Sequence, residues 1–133
     1  MIGLDTNILV RYIAQDDPIQ SPIATRIIEG RLTEEHPGFI SLVTMAETVW
    51  VLDRSYELSA VEIAAAIERI LQIDTFLVQS EQEVFTAMAA LKTGAGSFSD
   101  ALIGALGTQA GCVTTLTFDK KATRLQDFQL ASE

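Results

Sequence analysis

The sequence predicts an α/β fold, a three-layer αβα sandwich around a central, mainly parallel sheet of four to five strands. Short apolar segments alternate with helix-forming segments of ten or more residues, an order that is typical of right-handed βαβ crossovers. The 133 residues are 48% hydrophobic and 20% charged, a composition that indicates a packed core rather than a disordered chain. This length favours a single domain over residues 1–133.

The first part of the chain predicts a strand and two helices. Residues 2–4 are apolar, and the apolar residues after them recur at helical spacing: Ile8, Leu9, Tyr12 and Ile13. The acidic residues and proline at 16–18 end this helix. Asp17 or Ser21 is then expected to cap a second helix that runs to Gly30, because a proline suited to the first helical position follows each of them.

Serines mark the starts of several later helices. Residues 39–40 predict a short strand, and Ser41 is expected to cap a helix over 42–52. This helix is apolar on almost every face, so we expect it to lie inside the protein. Two more helices begin with sequences that fit the capping box, in which serine and glutamate satisfy each other's helix-start donors: Ser59 with Glu62, and Ser80 with Glu83.

Three further strands follow from β-branched and aromatic content, at residues 75–78, 112–117 and 128–130. Gly111 is expected to close the helix before the second of these strands. Residues 101–118 carry no charge, but glycines and polar residues interrupt the apolar run. We therefore predict helix, turn and strand there rather than a membrane span, and no membrane as a partner.

The charge and the single cysteine narrow the function classes. Nine Lys and Arg against 18 Asp and Glu give a net charge of −9 and a pI near 4.4, which argues against passive binding to nucleic-acid phosphates. Cys112 alone forms no intramolecular disulfide, and no signal peptide precedes the first strand, so a cytoplasmic protein is predicted. His36 is expected to be a surface group. Five of the nine basic residues are candidates for contact with a phosphate, but each is better explained as a solvated surface charge: Arg11, Lys92, Lys120, Lys121 and Arg124.

Isolated acids are the most informative feature of the sequence. Asp5 is the only charge in residues 1–10, Glu47 the only one in 37–52, and Asp100 the only one in 93–118. Glu47 has no lysine or arginine three or four positions away in its helix, which rules out a local ion pair. An unpaired buried carboxylate is costly, so a tertiary partner or a metal is expected there.

Capping offers a simpler explanation for the other acids. Three of the acids stand at predicted helix starts: Asp5, Asp100 and Asp119. At such a position a carboxylate, or the serine three residues before Asp100, can accept hydrogen bonds from the free backbone N–H groups of the first turn. In a parallel sheet, however, the positions after the strands meet at one edge. Four carboxylates gathered there, without histidine or thiol, suit a hard cation such as Mg²⁺ or Mn²⁺, whereas zinc is disfavoured.

Four segments together resemble the PIN-domain ribonucleases, and their order and spacing resemble the VapC-type toxins. They are Asp5-Thr6-Asn7-Ile8-Leu9-Val10, Glu47 in the third helix, Ser99-Asp100-Ala101-Leu102-Ile103, and Thr117-Phe118-Asp119-Lys120-Lys121. The resemblance covers essentially the whole chain and implies one PIN-like domain. It implies that Asp5, Glu47, Asp100 and Asp119 form a catalytic site for Mg²⁺, with Mn²⁺ as a substitute. Thr6, Asn7 and Thr117 match supporting polar positions.

The resemblance also implies a function and partners. PIN toxins hydrolyse RNA phosphodiester bonds, are held inactive by a VapB-type antitoxin and usually form homodimers. Divalent metal ions orient a phosphate, stabilise the leaving oxygen and lower the pKa of an attacking water, so no protein nucleophile is needed. We therefore expect products with a 5′-phosphate and a 3′-hydroxyl.

Other functions are compatible with parts of this pattern. A PIN nuclease of RNA processing that is not a toxin, and a non-catalytic PIN-like scaffold that binds RNA or protein, stay open. A haloacid dehalogenase-type phosphatase is disfavoured, since Asn7 stands where its second aspartate is expected and no cap domain is evident. A phospho-receiver domain lacks its acid pair at the first strand, although Lys120 could serve as its lysine.

Overall fold

Every strand pairing in this computed structural model, which describes residues 1–132, is parallel. The chain divides into two compact units, Met1–Ser80 and a second unit that begins at Glu81. Helices alternate with the strands, so the predicted α/β class is confirmed and is consistent with a PIN-like αβα fold. The assignment of residues 1–133 to one domain stays a prediction.

The first unit contains a three-stranded sheet in the order β1-β2-β3. Its elements are β1 (Ile2–Gly3), α1 (Thr6–Ala14), α2 (Gln20–Arg26), β2 (Gly38–Ile40), α3 (Leu42–Arg54), α4 (Ala60–Leu71) and β3 (Phe76–Val78). A π-helical turn, Ile27–Arg31, continues α2. The largest side chains of its core, which are almost fully excluded from solvent, are Leu9, Ile40, Met45, Leu52 and Ile67.

The second unit contains two helices and a two-stranded sheet. Its elements are α5 (Glu81–Thr93), α6 (Phe98–Gln109), β4 (Thr115–Thr117), a short 3-10 helix (Ala122–Arg124) and β5 (Phe128–Leu130). Helix α5 packs against α6. The backbone N–H of Thr115 donates to Asp127 O at 2.8 Å, and that of Ala131 donates to Thr117 O at 2.7 Å.

The prediction of one central sheet was wrong in its extent. All five predicted strands form, but they form a three-stranded and a two-stranded sheet. The backbone N–H and C=O groups of β4 pair with those of β5. Each strand is only two or three residues long, so it offers few backbone groups for further pairing. Strand boundaries also moved: residues 2–4 give Ile2–Gly3, residues 39–40 extend to Gly38, 75–78 shortens to Phe76–Val78, and 112–117 begins only at Thr115.

Two predicted serine caps, Ser41 and Ser59, are confirmed, and Ser97 caps α6 in the same way. The Ser41 hydroxyl accepts from Thr44 N–H, and the Ser97 hydroxyl accepts from Asp100 N–H. Ser59 and Glu62 form the complete capping box of α4. Each of these serines has the extended backbone that an N-cap residue requires.

The predicted capping box at Ser80 and Glu83 was wrong, although α5 begins at the expected place. Ser80 has a φ of 51°, which is left-handed and incompatible with the extended conformation of an N-cap residue. Ser21 is not a cap either, because its buried hydroxyl donates to Arg11 O at 2.8 Å. Asp17 acts from just before the helix instead: its Oδ1 accepts from the N–H groups of Ile19 and Gln20, while Ile19 occupies the N-cap position of α2.

Helix α3 is not buried on every face, which corrects the sequence prediction. Its inner face buries Met45, Thr48, Val49 and Leu52, the i, i+3, i+4 and i+7 positions of one stripe. Val43 and Trp50 are 76% and 58% exposed, and the Arg54 guanidinium lies 5.8 Å from the centre of the Trp50 ring. Apolar composition therefore hid an outward face, and Glu47 lies on that face.

The predictions for His36 and Gly111 are confirmed. His36 is exposed, and so is the Cys112 thiol. Gly111 follows α6 with a φ of 99°, the left-handed conformation that closes a helix. Among residues 1–132, none of the helices combines the length and the apolar character that a bilayer crossing requires.

We expect the capping box of α4 to make the free energy of unfolding depend on pH in the acidic range. Hydrogen bonds from Ser59 hold the pKa of Glu62 below its ordinary value. A carboxyl whose pKa is lower in the folded state stabilises that state above its unfolded pKa and loses this contribution as the pH falls through the folded value. Glu62→Gln keeps an acceptor but does not titrate, so thermal unfolding between pH 3 and 7 should show a smaller stability gain with rising pH than in the unchanged chain. Identical pH profiles would contradict the assignment.

Candidate active site

The parallel pairing of β1 with β2 places the starts of two helices side by side. Ile2 pairs with Gly38 and Gly3 with Phe39, and Leu4 N–H donates to Phe39 O at 2.9 Å. Helix α1 begins after β1 and α3 begins after β2, and the two helices pack together. Residues that follow the carboxyl ends of parallel strands share one edge, which is where ligands bind in α/β folds.

A pocket of about 400 Å³ lies between α1 and α3. One wall is the N-terminal turn and one stripe of α1. The other is Glu47 and Val51, four residues apart on α3, with the two residues that follow that helix, Ser55 and Tyr56. The lining residues are Asp5, Thr6, Asn7, Val10, Arg11, Glu47, Val51, Ser55 and Tyr56. Two of the four predicted acids, Asp5 and Glu47, thus share one concave surface.

Asp5 is both the N-cap of α1 and a wall of this pocket. Its backbone is extended, and its Oδ1 accepts from the backbone N–H of Thr6 at 2.7 Å. The capping explanation for this acid is therefore correct. Capping uses only one of the two carboxylate oxygens: within residues 1–132, the described hydrogen bonds of this side chain involve Oδ1 alone. Asp5 is also exposed, so its second oxygen can bind a ligand.

Glu47 lies in the pocket for a reason different from the one the sequence suggested. The sequence predicted a carboxylate buried among apolar neighbours, but Glu47 is exposed on the outer side of α3. Because Glu47 is not buried, its charge does not need a counter-charge from another side chain or a metal. Within residues 1–132 the Glu47 carboxylate makes no described hydrogen bond or ion pair, so both of its oxygens are available to a ligand.

Asp100 and Asp119 belong to the second unit. Ser97, rather than Asp100, caps α6, and the half-buried Asp100 side chain makes no described hydrogen bond within residues 1–132. Asp119 Oδ1 accepts from Lys121 N–H at 2.9 Å and so stabilises the turn into the 3-10 helix. No described hydrogen bond within this unit joins the two acids, and their membership of a metal site stays a prediction.

The three supporting residues have distinct local roles. Thr6 is buried, and Asn7 is exposed, and both line the pocket. The Thr117 hydroxyl accepts from the backbone N–H of Asp119 at 3.0 Å, which holds that acid at the end of β4. The contacts of these residues agree with a supporting role, and their effect on catalysis stays a prediction.

The donors of the first-unit pocket suit a hard cation. Within either unit, residues 1–132 bring no three His, Cys, Asp or Glu side chains together as a ready-made cage. Mg²⁺ does not need one, because it keeps several waters and usually binds through one or two carboxylates plus substrate phosphates. Asp5 and Glu47 supply such carboxylate oxygens at an open pocket, and no thiol or imidazole lines it.

Sequence reasoning missed part of the pocket. Arg11 was expected to be a surface charge rather than a phosphate contact, and Tyr56 carried no signal at all, yet both line the pocket. Arg11 Nη1 donates to Tyr56 Oη at 3.3 Å, and the Tyr56 hydroxyl donates to Asp16 Oδ2 at 2.8 Å. Asn7 and Arg11 are four residues apart on α1, and that spacing was the one available signal that Arg11 shares the face of Asn7.

The Tyr56 hydroxyl donates one hydrogen bond in this network, to Asp16, and accepts another from Arg11. Burial raises the pKa of Tyr56, and its hydrogen bond to Asp16 raises it further. The phenol therefore stays protonated at neutral pH. Its donated hydrogen bond ties the segment after α3 to Asp16, which follows α1.

The chain matches one family profile over most of its length. Residues 2–127 match the profile described as PIN domain, which includes residues of both units. None of the curated proteins gives a significant match to the chain. PIN domains are generally nucleases and typically use divalent metals.

The double role of Asp5 can be separated by substitution. Asp5→Asn retains a capping oxygen, so its free energy of unfolding should stay within roughly 0.5 kcal/mol of the unchanged chain. Asp5→Ala removes the cap and should cost about 1 kcal/mol. Urea unfolding followed by circular dichroism measures both, and Ser41→Ala serves as a control for the loss of a helix cap on α3. A loss in Asp5→Asn as large as in Asp5→Ala would contradict this separation.

Proposed function

The chain belongs to the PIN-domain family, and from that membership and the pocket between α1 and α3 we propose that it is a Mg²⁺-dependent endoribonuclease. Mn²⁺ is proposed to substitute for Mg²⁺. The observation that carries this proposal is that Asp5 and Glu47, isolated acids in their own sequence neighbourhoods, line the same pocket. Separate helix caps would not place a carboxylate from the sixth position of α3 there.

Asp5 and Glu47 would hold the cation through their carboxylate oxygens. Such a metal supplies Lewis acidity, which stabilises negative charge on the phosphate and the leaving oxygen and lowers the pKa of water. The hydrogen bond from Thr6 N–H fixes the orientation of the Asp5 carboxylate. This leaves the second Asp5 oxygen and the Glu47 oxygens to bind and orient polar ligands.

The chain's own groups then determine how RNA is bound and cut. The carboxylates accept hydrogen bonds from the attacking water and direct it in line with the leaving 3′ oxygen. As the water oxygen bonds to phosphorus, the bond between phosphorus and the 3′ oxygen breaks and the 3′ oxygen takes up a proton from the water, which leaves a 5′-phosphate and a 3′-hydroxyl. Asn7 lies exposed on the pocket wall, where its amide can both donate to a phosphate and accept from a ribose hydroxyl.

Asp100 and Asp119 are proposed as further ligands or water-orienting acids. This part rests on the family resemblance of their segments and on the carboxylate of Asp100, for which no hydrogen bond is described within residues 1–132. Thr117 is proposed to support Asp119 through its hydrogen bond to the Asp119 N–H.

We further propose that the chain is the toxin of a VapBC-type pair, inhibited by a VapB-type antitoxin and acting as a homodimer in the cytoplasm. The order and spacing of the four segments that resemble VapC-type toxins support this role. The net charge of −9 favours a basic antitoxin segment as the inhibitor. A nuclease of RNA processing and a non-catalytic scaffold are the alternative outcomes.

Glu47→Gln should reduce RNA cleavage by at least about 100-fold, because even outer-sphere partners of a metal ligand commonly contribute 10- to 100-fold. The measurement is cleavage of labelled single-stranded RNA in Mg²⁺, in Mn²⁺ and in EDTA. Asp53→Asn is the matched control, since Asp53 is an exposed acid of the same helix that does not line the pocket.

Two results would contradict the proposed activity. One is cleavage that persists in EDTA or in Glu47→Gln, and the other is an equal loss in Glu47→Gln and Asp53→Asn. RNA binding without metal-dependent cleavage by the unchanged chain would favour the scaffold. Loss of cleavage in Asp100→Asn and Asp119→Asn would support the two proposed ligands of the second unit.

The toxin role predicts growth arrest when the chain is expressed in a bacterial host. Asp5→Asn should abolish the arrest while it keeps the protein at the same level on an immunoblot. Co-expression of a short neighbouring reading frame that encodes a DNA-binding antitoxin should restore growth. Normal growth on expression of an active, metal-dependent nuclease would favour a role in RNA processing instead.

A further inference from the structure

Arg11 lies on a ridge between two pockets of the first unit. It lines the acidic pocket with Asp5 and Glu47, and it also lines a second pocket of about 260 Å³ with Ile8, Gln20, Ile23 and Ala24. Asn7 lines both pockets as well. A ligand that extends out of the acidic pocket across α1 therefore meets the Arg11 side chain.

Two hydrogen bonds hold the Arg11 guanidinium in place through its Nε and Nη1 atoms. Arg11 Nε donates to Gln20 Oε1 at 2.9 Å, and Nη1 donates to Tyr56 Oη at 3.3 Å. No hydrogen bond from Nη2 is described within residues 1–132. A guanidinium has five N–H donors in a fixed fork, so an anchored head group with an open edge can still bind an anion.

The neighbouring carboxylate neutralises Arg11 only weakly. Arg11 Nη1 lies 3.5 Å from Asp16 Oδ1, and the two side chains are 32% and 46% exposed. A strong charge-assisted hydrogen bond has a separation of about 2.7–2.9 Å, and exposed ion pairs contribute little to stability. The shorter contact of Asp16 is the hydrogen bond that it accepts from Tyr56, at 2.8 Å. The positive charge of Arg11 is therefore still available to a ligand.

We propose that Arg11 binds a backbone phosphate of the RNA whose cleavage is proposed above, and that Tyr56 positions its guanidinium. The inference rests on the proposed function and adds a substrate-binding residue to it. Among the residues that line the acidic pocket, Arg11 is the single cation beside two carboxylates. Those carboxylates repel a polyanion, so a fixed guanidinium on the same wall selects the path of the RNA backbone.

A purely structural role for Arg11 makes different predictions. If Arg11 only ties α1 to the start of α2 and the end of α3, its loss lowers stability but leaves the salt dependence of RNA binding unchanged. A phosphate contact instead contributes to the salt dependence, because each phosphate neutralised on single-stranded nucleic acid changes the slope of log K against log salt by about −0.7.

The test measures binding of a fluorescent single-stranded RNA by anisotropy, from about 50 to 300 mM KCl. All proteins carry Glu47→Gln to prevent cleavage. Arg11→Gln, which keeps polar contacts to its neighbours, should raise Kd roughly tenfold or more, the range of a charged hydrogen bond, and should make the slope shallower by about 0.7. Arg26→Gln is the control, since Arg26 is exposed on α2 and lines neither of the two pockets.

Two further variants separate charge from geometry. Arg11→Lys keeps the charge and should keep the slope, but it should lower kcat with intact Glu47 because an ammonium lacks the planar fork. Tyr56→Phe should keep the slope and raise Kd about threefold, since it removes the long hydrogen bond, 3.3 Å, that the Tyr56 hydroxyl accepts from the Arg11 guanidinium and so leaves that charged group less ordered. Thermal melts identify any variant that fails to fold.

Equal slopes in Arg11→Gln and Arg26→Gln would overturn this proposal, even if the unchanged chain cleaves RNA normally. An unchanged Kd in a folded Tyr56→Phe would overturn the positioning role of Tyr56. If the unchanged chain cleaves no RNA but its binding slope depends on Arg11, the phosphate site stands and the proposed nuclease activity fails.

Discussion

The parallel register of β1 on β2 is the constraint on which the candidate site depends. It brings the ends of both strands to one edge, so that α1 and α3 start next to each other and pack together. Each helix buries one stripe in the core and leaves another outside. One stripe of each helix lines a shared pocket, and two acids that the chain carries there, Asp5 and Glu47, line it together although 42 positions separate them in the sequence.

The acidity of the chain acquires a different meaning in this pocket. A net charge of −9 excludes binding to RNA by a broad basic surface. The pocket, with two carboxylates and one guanidinium, has a formal charge of −1, which one divalent cation reverses to +1. The charge of a bound ion dominates such a site. Affinity for phosphate is therefore expected to depend on the metal and on Arg11 rather than on the overall charge.

Local signals in the sequence predicted the elements well and the tertiary arrangement less well. Ser41 and Ser59 were predictable as caps because capping depends on residues within one turn. Ser80 failed because its backbone is left-handed, which residue type alone does not reveal. The outward face of α3 was missed because hydropathy alone does not say which apolar residues pack against other elements of the fold. Arg11 and Tyr56 meet across 45 positions, and no spacing rule predicts such a contact. The division of five strands into two sheets likewise depends on long-range pairing.

A titration with Mn²⁺ followed by NMR tests whether Asp5 and Glu47 form a divalent cation site. Paramagnetic Mn²⁺ broadens the amide signals of residues close to it. At low Mn²⁺, the amides of Thr6, Asn7 and Glu47 should broaden first, and the double variant Asp5→Asn with Glu47→Gln should lose this effect. Broadening that is equal in the double variant would contradict this site, and so would broadening that centres instead on Glu83 and Asp127, two acids that line a different pocket in the second unit.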